Sequence, residues 1–163
     1  MIKTAKISED GKYRYQLSRI WNNVLPKALF IMLNPSTADH EKDDPTIRRC
    51  INFVKSWGGG GLYVGNLFAY RTSKPTILLQ QANQKEDIVG ILNDFNLRLM
   101  AHKCTRIVFA WGNNGSLYDR DKQIIKMFPD ACCLDLSKNG HPKHPLYLKN
   151  NLRIIKFIQI HKF

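Results

Sequence analysis

The stretch KALFIMLNPSTAD, residues 27 to 39, decides how this chain is to be read. Residues 27 to 33 form a short continuous apolar run, as in a strand covered on both faces. Asn34, Pro35, Ser36, Thr37 and Asp39 then make a tight polar loop. Shortly after, Asp44-Pro45 opens a helix, because Asp44 can cap it and proline suits the first helical position. Ile47, Ile51, Val54 and Trp57 give that helix one apolar face, and Gly58 to Gly61 end it.

The same alternation runs outward in both directions. GLYVGNLFAY (61–70), TRIVFAWG (105–112) and ACCLDL (131–136) read as three further strands. Between them lie a short helix from Pro75, a longer one that Asn93-Asp94 can cap, and YDRDKQIIKMF. Strands alternating with helices imply βαβ units. The expected fold is therefore a three-layer αβα single domain, residues 1–163, around a mostly parallel four-stranded sheet. YRYQLSRIW (13–21) alternates aromatic and polar residues and adds a half-exposed N-terminal edge strand. NLRIIKFIQIHKF (151–163) is helix or strand; its pattern does not separate the two.

Apolar residues make up 44% of the chain and mean hydropathy is -0.33, a globular composition without a membrane-length apolar run. The first fifteen residues lack the apolar segment of a secretory signal. Cys50, Cys104, Cys132 and Cys133 form no CxxC pair and read as small buried hydrophobes in a reducing, cytoplasmic setting. No metal and no cofactor is expected, since paired ligands at short spacing are missing. The acidic run 39–44 mixes its charges, and Asp44 is engaged as a cap. Twenty-five Lys and Arg against thirteen Asp and Glu give a net charge of +12. Such an excess favours nucleic acid, nucleotides or other polyanions as partners.

In parallel sheets, ligands bind at the carboxyl ends of the strands. Here those ends carry NPSTAD, then Asn66 followed by Phe68, Tyr70 and Arg71, then Gly112-Asn113, then His141 and His144 in a proline-bracketed loop with Lys143. An amide in an apolar strand must find hydrogen-bond partners, and the edge of a planar base supplies them. Prolines 142 and 145 restrict both histidines, either of which can donate to a developing anion.

Five ordered motifs, LNPSTAD (33–39), DDPTIRRC (43–50), GGLYVGNLFAYR (60–71), AWGNNG (110–115) and GHPKHPLYL (140–148), resemble the uncharacterised domain-of-unknown-function family 1643. The resemblance spans residues from about 13 to 150. It departs at DIVGILND (87–94), where the family usually carries a proline, so Asn93 and Asp94 are read mainly as a helix cap. The motif order is also similar, more distantly, to the uracil-DNA glycosylase superfamily.

That second resemblance implies an N-glycosidic hydrolase acting on DNA or a nucleotide. Asn34 and Asp39 would orient water, and Asn66 would read the base edge. Phe68 or Tyr70 would stack on the base, and His144, favoured over His141, would stabilise the leaving base. Pro35, Ser36, Thr37, Arg48, Arg71, Gly112, Asn113 and Lys143 would complete the binding site. An amide at position 34 cannot act as a general base. A non-catalytic nucleotide sensor or sequestering protein is therefore a rival expectation, and a basic DNA-associated accessory protein is a third. Neither the base nor the oligomeric state is legible.

Overall fold

The computed structural model describes residues 1–158. Among them, seven strands form one sheet: β1 (Ile2–Ile7), β2 (Arg14–Ile20), β3 (Lys27–Met32), β4 (Gly61–Asn66), β5 (Arg106–Phe109), β6 (Cys132–Cys133) and β7 (Ile155–Lys156). Their spatial order is β1-β2-β4-β3-β5-β6-β7. The inner strands β4, β3, β5 and β6 are mutually parallel. Antiparallel strands extend the sheet at both edges.

The expected four-stranded sheet is thus corrected to seven strands, with the parallel four at its centre. β1 escaped the sequence reading because KTAK offers no apolar alternation. The C-terminal segment resolves as strand at Ile155–Lys156, and its last five residues lie outside the described region.

Among the described residues, four α-helices cover the sheet: α1 (Pro45–Ser56), α2 (Pro75–Asn83), α3 (Asn93–His102) and α4 (Arg120–Met127). β3 explains the layering. Ala28, Phe30 and Met32 face one core with Ile47, Cys50, Ile51, Phe53 and Val54 of α1. Leu29 and Ile31 face the other with Leu78, Leu97, Met100 and Ile124 of α2, α3 and α4. A strand apolar on both faces is stable only between two helical layers, where burial of each large side chain contributes about 1.5–3 kcal/mol. α1 begins as its sequence predicts: the Asp44 carboxylate accepts the Ile47 N–H at 2.8 Å, and Pro45 occupies the first turn.

Two expectations fail. β2 is not half-exposed, because α3 packs on one side and the segment from 38 to 43 lies against the other. Nor do Asn93 and Asp94 cap α3. The cap position is Leu92, without a side-chain bond. Asn93 is instead buried, and Asp94 pairs with Arg120 at 2.8 Å.

Arg19 of β2 is fully buried. Its Nε donates to Asp43 Oδ1 at 2.6 Å, its Nη2 to the carbonyls of Asp39 and Lys42, and its Nη1 to Ser18 O at 2.8 Å. One guanidinium therefore shapes the loop between β3 and α1. Arg19→Met should lower stability by about 3 kcal/mol, because Asp43 and four carbonyls, that of Thr4 included, lose a buried donor. Urea denaturation measures this; a loss below about 1 kcal/mol would show that the loop holds itself.

Candidate functional site

The connections leaving β3, β4, β5 and β6 meet at one end of the sheet around a cleft of about 800 Å³. β3 lies between β4 and β5, so the chain leaves it toward one side first and later returns to the other. Such a switch point opens a crevice at the strand ends.

The loop after β3 contributes Asn34, Ser36 and Asp44, the last being the cap of α1, and α1 itself contributes Thr46 and Ile47. Asn34 donates through Nδ2 to Thr72 O at 2.8 Å and to Pro35 O at 3.1 Å. It thereby ties this loop to the one after β4 and turns its carbonyl oxygen away from those partners. Ser36 donates to Asp44 Oδ2 at 2.6 Å. Pro35 is buried behind the lining, where its carbonyl also accepts the Thr72 N–H at 3.0 Å. Asp39, Thr37 and Arg48 do not line the cleft. The Asp39 carboxylate accepts the main-chain N–H groups of Glu41 and Lys42, each at 2.8 Å. These bonds hold it below the usual carboxylate range. Thr37 is exposed, and exposed Arg48 donates to Asp43 O at 2.8 Å.

Asn66 ends β4 at the cleft floor. It is 2% exposed, yet neither its Oδ1 nor its Nδ2 has a partner. Its position is secured through the backbone: Asn93 Nδ2 donates to Asn66 O at 3.0 Å and to Leu67 O at 3.1 Å. Arg120 Nε donates to Leu67 O at 3.0 Å. Asn93 is a support for the strand end, a role its helix-cap reading missed. Three neighbours expected in the site lie elsewhere. Phe68 is fully buried in the core and has no free ring face. Tyr70 packs edge-on against Tyr13 at 6.1 Å between centroids. Arg71 donates to Gly11 O at 3.3 Å.

After β5, Trp111, Gly112, Asn113 and Asn114 line the cleft. Gly112 adopts φ +77°, a left-handed turn that favours glycine. Its N–H donates to Pro142 O at 2.8 Å, joining the β5 and β6 tips. A Cβ on Gly115 would meet the Trp111 indole at 2.6 Å, so glycine there admits the ring. The buried indole Nε1 has no partner.

The β6 tip brings Lys143 and His144, and Tyr147 on the rim. Lys143 pairs with Asp135 at 2.9 Å. His141 does not line the cleft; its N–H donates to Ser137 Oγ at 3.1 Å. Of the two histidines, His144 is the one at the site. Its Nδ1 accepts the Leu146 N–H at 3.3 Å, which assigns the proton of the neutral ring to Nε2. Burial lowers its pKa from the ordinary value, against an opposing pull from Asp44. The ring is thus a neutral donor at neutral pH.

Arg14 of β2 also lines the cleft, is 3% exposed, and donates through Nη1 to Ala38 O at 2.7 Å. Burial brings its pKa down to about 10, with Asp44 the main opposing influence, so it is charged at pH 7. Sequence reasoning missed Arg14 because its alternation between Tyr13 and Tyr15 looked like exposure. Asp44 carried a clear cap signal but none for its second face. Among the described residues, no three His, Cys, Asp or Glu side chains are grouped to hold a metal ion. No described helix is long and apolar enough to cross a membrane.

An α/β protein with a cleft built from four parallel-strand tips is the class that fold and site define. The chain belongs to the family described as protein of unknown function DUF1643, whose model matches residues 14–146. That match takes in all four strand tips. No curated protein matches the chain, and no solved structure does.

The His144 environment has a measurable consequence. Because its folded-state pKa lies below the unfolded value near 6.5, its stability contribution is full above that value. The contribution is lost as pH falls through the lowered folded pKa. An NMR titration of the imidazole Cε1–H should give a midpoint below 6.5; a midpoint above it would contradict the neutral-donor assignment.

Proposed function

We propose that this protein recognises a nucleobase in the cleft and hydrolyses its N-glycosidic bond, on DNA or on a nucleotide. The observation that carries the reading is Asn66: a buried amide, facing a ligand-sized cleft, with donor and acceptor both unpartnered. Leaving such groups unsatisfied costs about 1–3 kcal/mol each. A planar heterocycle with an adjacent N–H and C=O, as on uracil, thymine, hypoxanthine or guanine, answers both atoms at once.

His144 lines the same cleft with a neutral Nε2–H donor. A preorganised donor meeting charge that develops on a departing base is a large catalytic effect. The parallel core and the positions of NPSTAD, Asn66 and His144 on its tips support a likeness to the uracil-DNA glycosylase superfamily. Tyr147, 88% exposed on the rim, takes over the stacking role that Phe68 and Tyr70 are too enclosed to fill. The net charge of +12 suits a phosphate-bearing ligand.

A second reading, recognition without cleavage, is favoured by one feature: both Asn34 N–H groups are engaged with main-chain carbonyls, and an amide accepts no proton. Base release from single- and double-stranded oligodeoxynucleotides and from nucleotides, carrying uracil or hypoxanthine, separates the two readings. The proposal expects free base from at least one of these. Asn66→Ala should weaken binding of that substrate roughly tenfold to a hundredfold, the worth of the hydrogen bonds removed. Tight binding with every ligand recovered intact would establish the second reading instead.

A further inference from the structure

We infer that Asp44 is the catalytic carboxylate of this cleft, activating water for attack on the sugar carbon, with Ser36 as its positioning residue. The inference rests on the glycosidic reading above and supplies the acid–base group that Asn34 cannot. Asp44 is the one Asp or Glu among the described cleft-lining residues.

Its geometry suits the task. Oδ1 accepts the Ile47 N–H at 2.8 Å and Oδ2 accepts the Ser36 hydroxyl at 2.6 Å. Both oxygens are therefore held in fixed directions, and each keeps a second lone pair. Nothing in this arrangement neutralises the charge by direct ion pairing: the described ion pairs include Asp43, Asp94 and Asp135 but not Asp44. The carboxylate nonetheless acts electrostatically on both His144 and Arg14, which line the same space. A helix cap alone uses one carboxylate oxygen. Here the second is fixed by a hydroxyl eight residues earlier in the same β3–α1 connection.

The N-glycosidic bond breaks, and its electron pair leaves on the base, where His144 Nε2–H meets the developing negative charge. Positive charge grows on the sugar, and the Asp44 carboxylate stabilises it. Water oxygen bonds to the sugar carbon while a water proton passes to Asp44. That proton later returns through solvent to the free base anion. Arg14 remains a spectator to bond making; it fixes the loop through Ala38 O.

Asp44→Asn is the discriminating variant, because asparagine caps helices as well as aspartate does but carries no charge. Three measurements go together: thermal unfolding, equilibrium binding of whichever oligonucleotide or nucleotide wild type cleaves, and single-turnover base release from it. The expected result is a melting point and an affinity close to wild type, with release slowed by roughly 10²-fold or more. Ser36→Ala should slow release about tenfold with binding retained, and it serves as the second test should Asp44→Asn fold poorly.

Release within threefold of wild type in both variants would overturn the role of Asp44 and leave the glycosidic reading standing. Wild type that releases no base from any substrate in the panel would overturn that reading, and with it the reaction Asp44 is said to serve. The two failures are therefore separable.

Discussion

The cleft depends on buried arginine reaching for main-chain carbonyls. A guanidinium offers five donors in a rigid fork and stays charged, so burying one requires many acceptors around it. Arg19 collects Asp43, Asp39 O, Lys42 O and Ser18 O. Arg14 takes Ala38 O. Both come from β2, and both act on the segment joining β3 to α1. They add to the Asn34 tie to Thr72 and to the loop's internal bonds, and together these contacts hold the segment to one course across the end of the sheet. Because they do, Ser36 and Asp44 meet at hydrogen-bond distance.

A second set of main-chain grips acts on the neighbouring tip. Asn93 and Arg120 converge on Leu67 O, and Asn93 reaches Asn66 O as well. The Asn66 side chain is thus set by its own backbone, and both amide atoms are left without a protein partner. Fully buried polar groups ordinarily carry their partners within the protein. A strand end supported this thoroughly, with its side chain left unsatisfied, separates the work of structure from the work of recognition.

Much of this was legible in the amino-acid sequence, for reasons that can be named. The continuous apolar run 27–33 fits a strand covered on both faces, and the Asp44-Pro45 pair starts α1 where capping chemistry places it. Convergence of Asn34, Ser36, Asn66, Gly112, Asn113 and Lys143 followed from the βαβ alternation, while the preference for His144 over His141 came from the family resemblance. What stayed hidden depends on contacts between distant segments. Burial of Arg14 and Arg19 needs α3 and the 38–43 segment packed on β2. The support given by Asn93 needs α3 set beneath β4. Phe68, Tyr70 and Arg71 follow Asn66 in sequence, but the chain turns inward there, so adjacency did not carry them into the cleft. The edges β1 and β7 have too little apolar patterning to announce themselves.

The tip that bears His144 rises from the thinnest part of the sheet. β6 is two residues long, in register with β5 only at Cys132 and Cys133, and with β7 at the same two. Protection from local opening grows with the number of ladder bonds that must break together, and here few must. The Gly112 to Pro142 bond is one of the stitches linking that tip to the firmer interior. Anything grasped simultaneously by Asn66 and His144 therefore acts as a clasp, fastening the lightly sewn margin of the sheet to its centre.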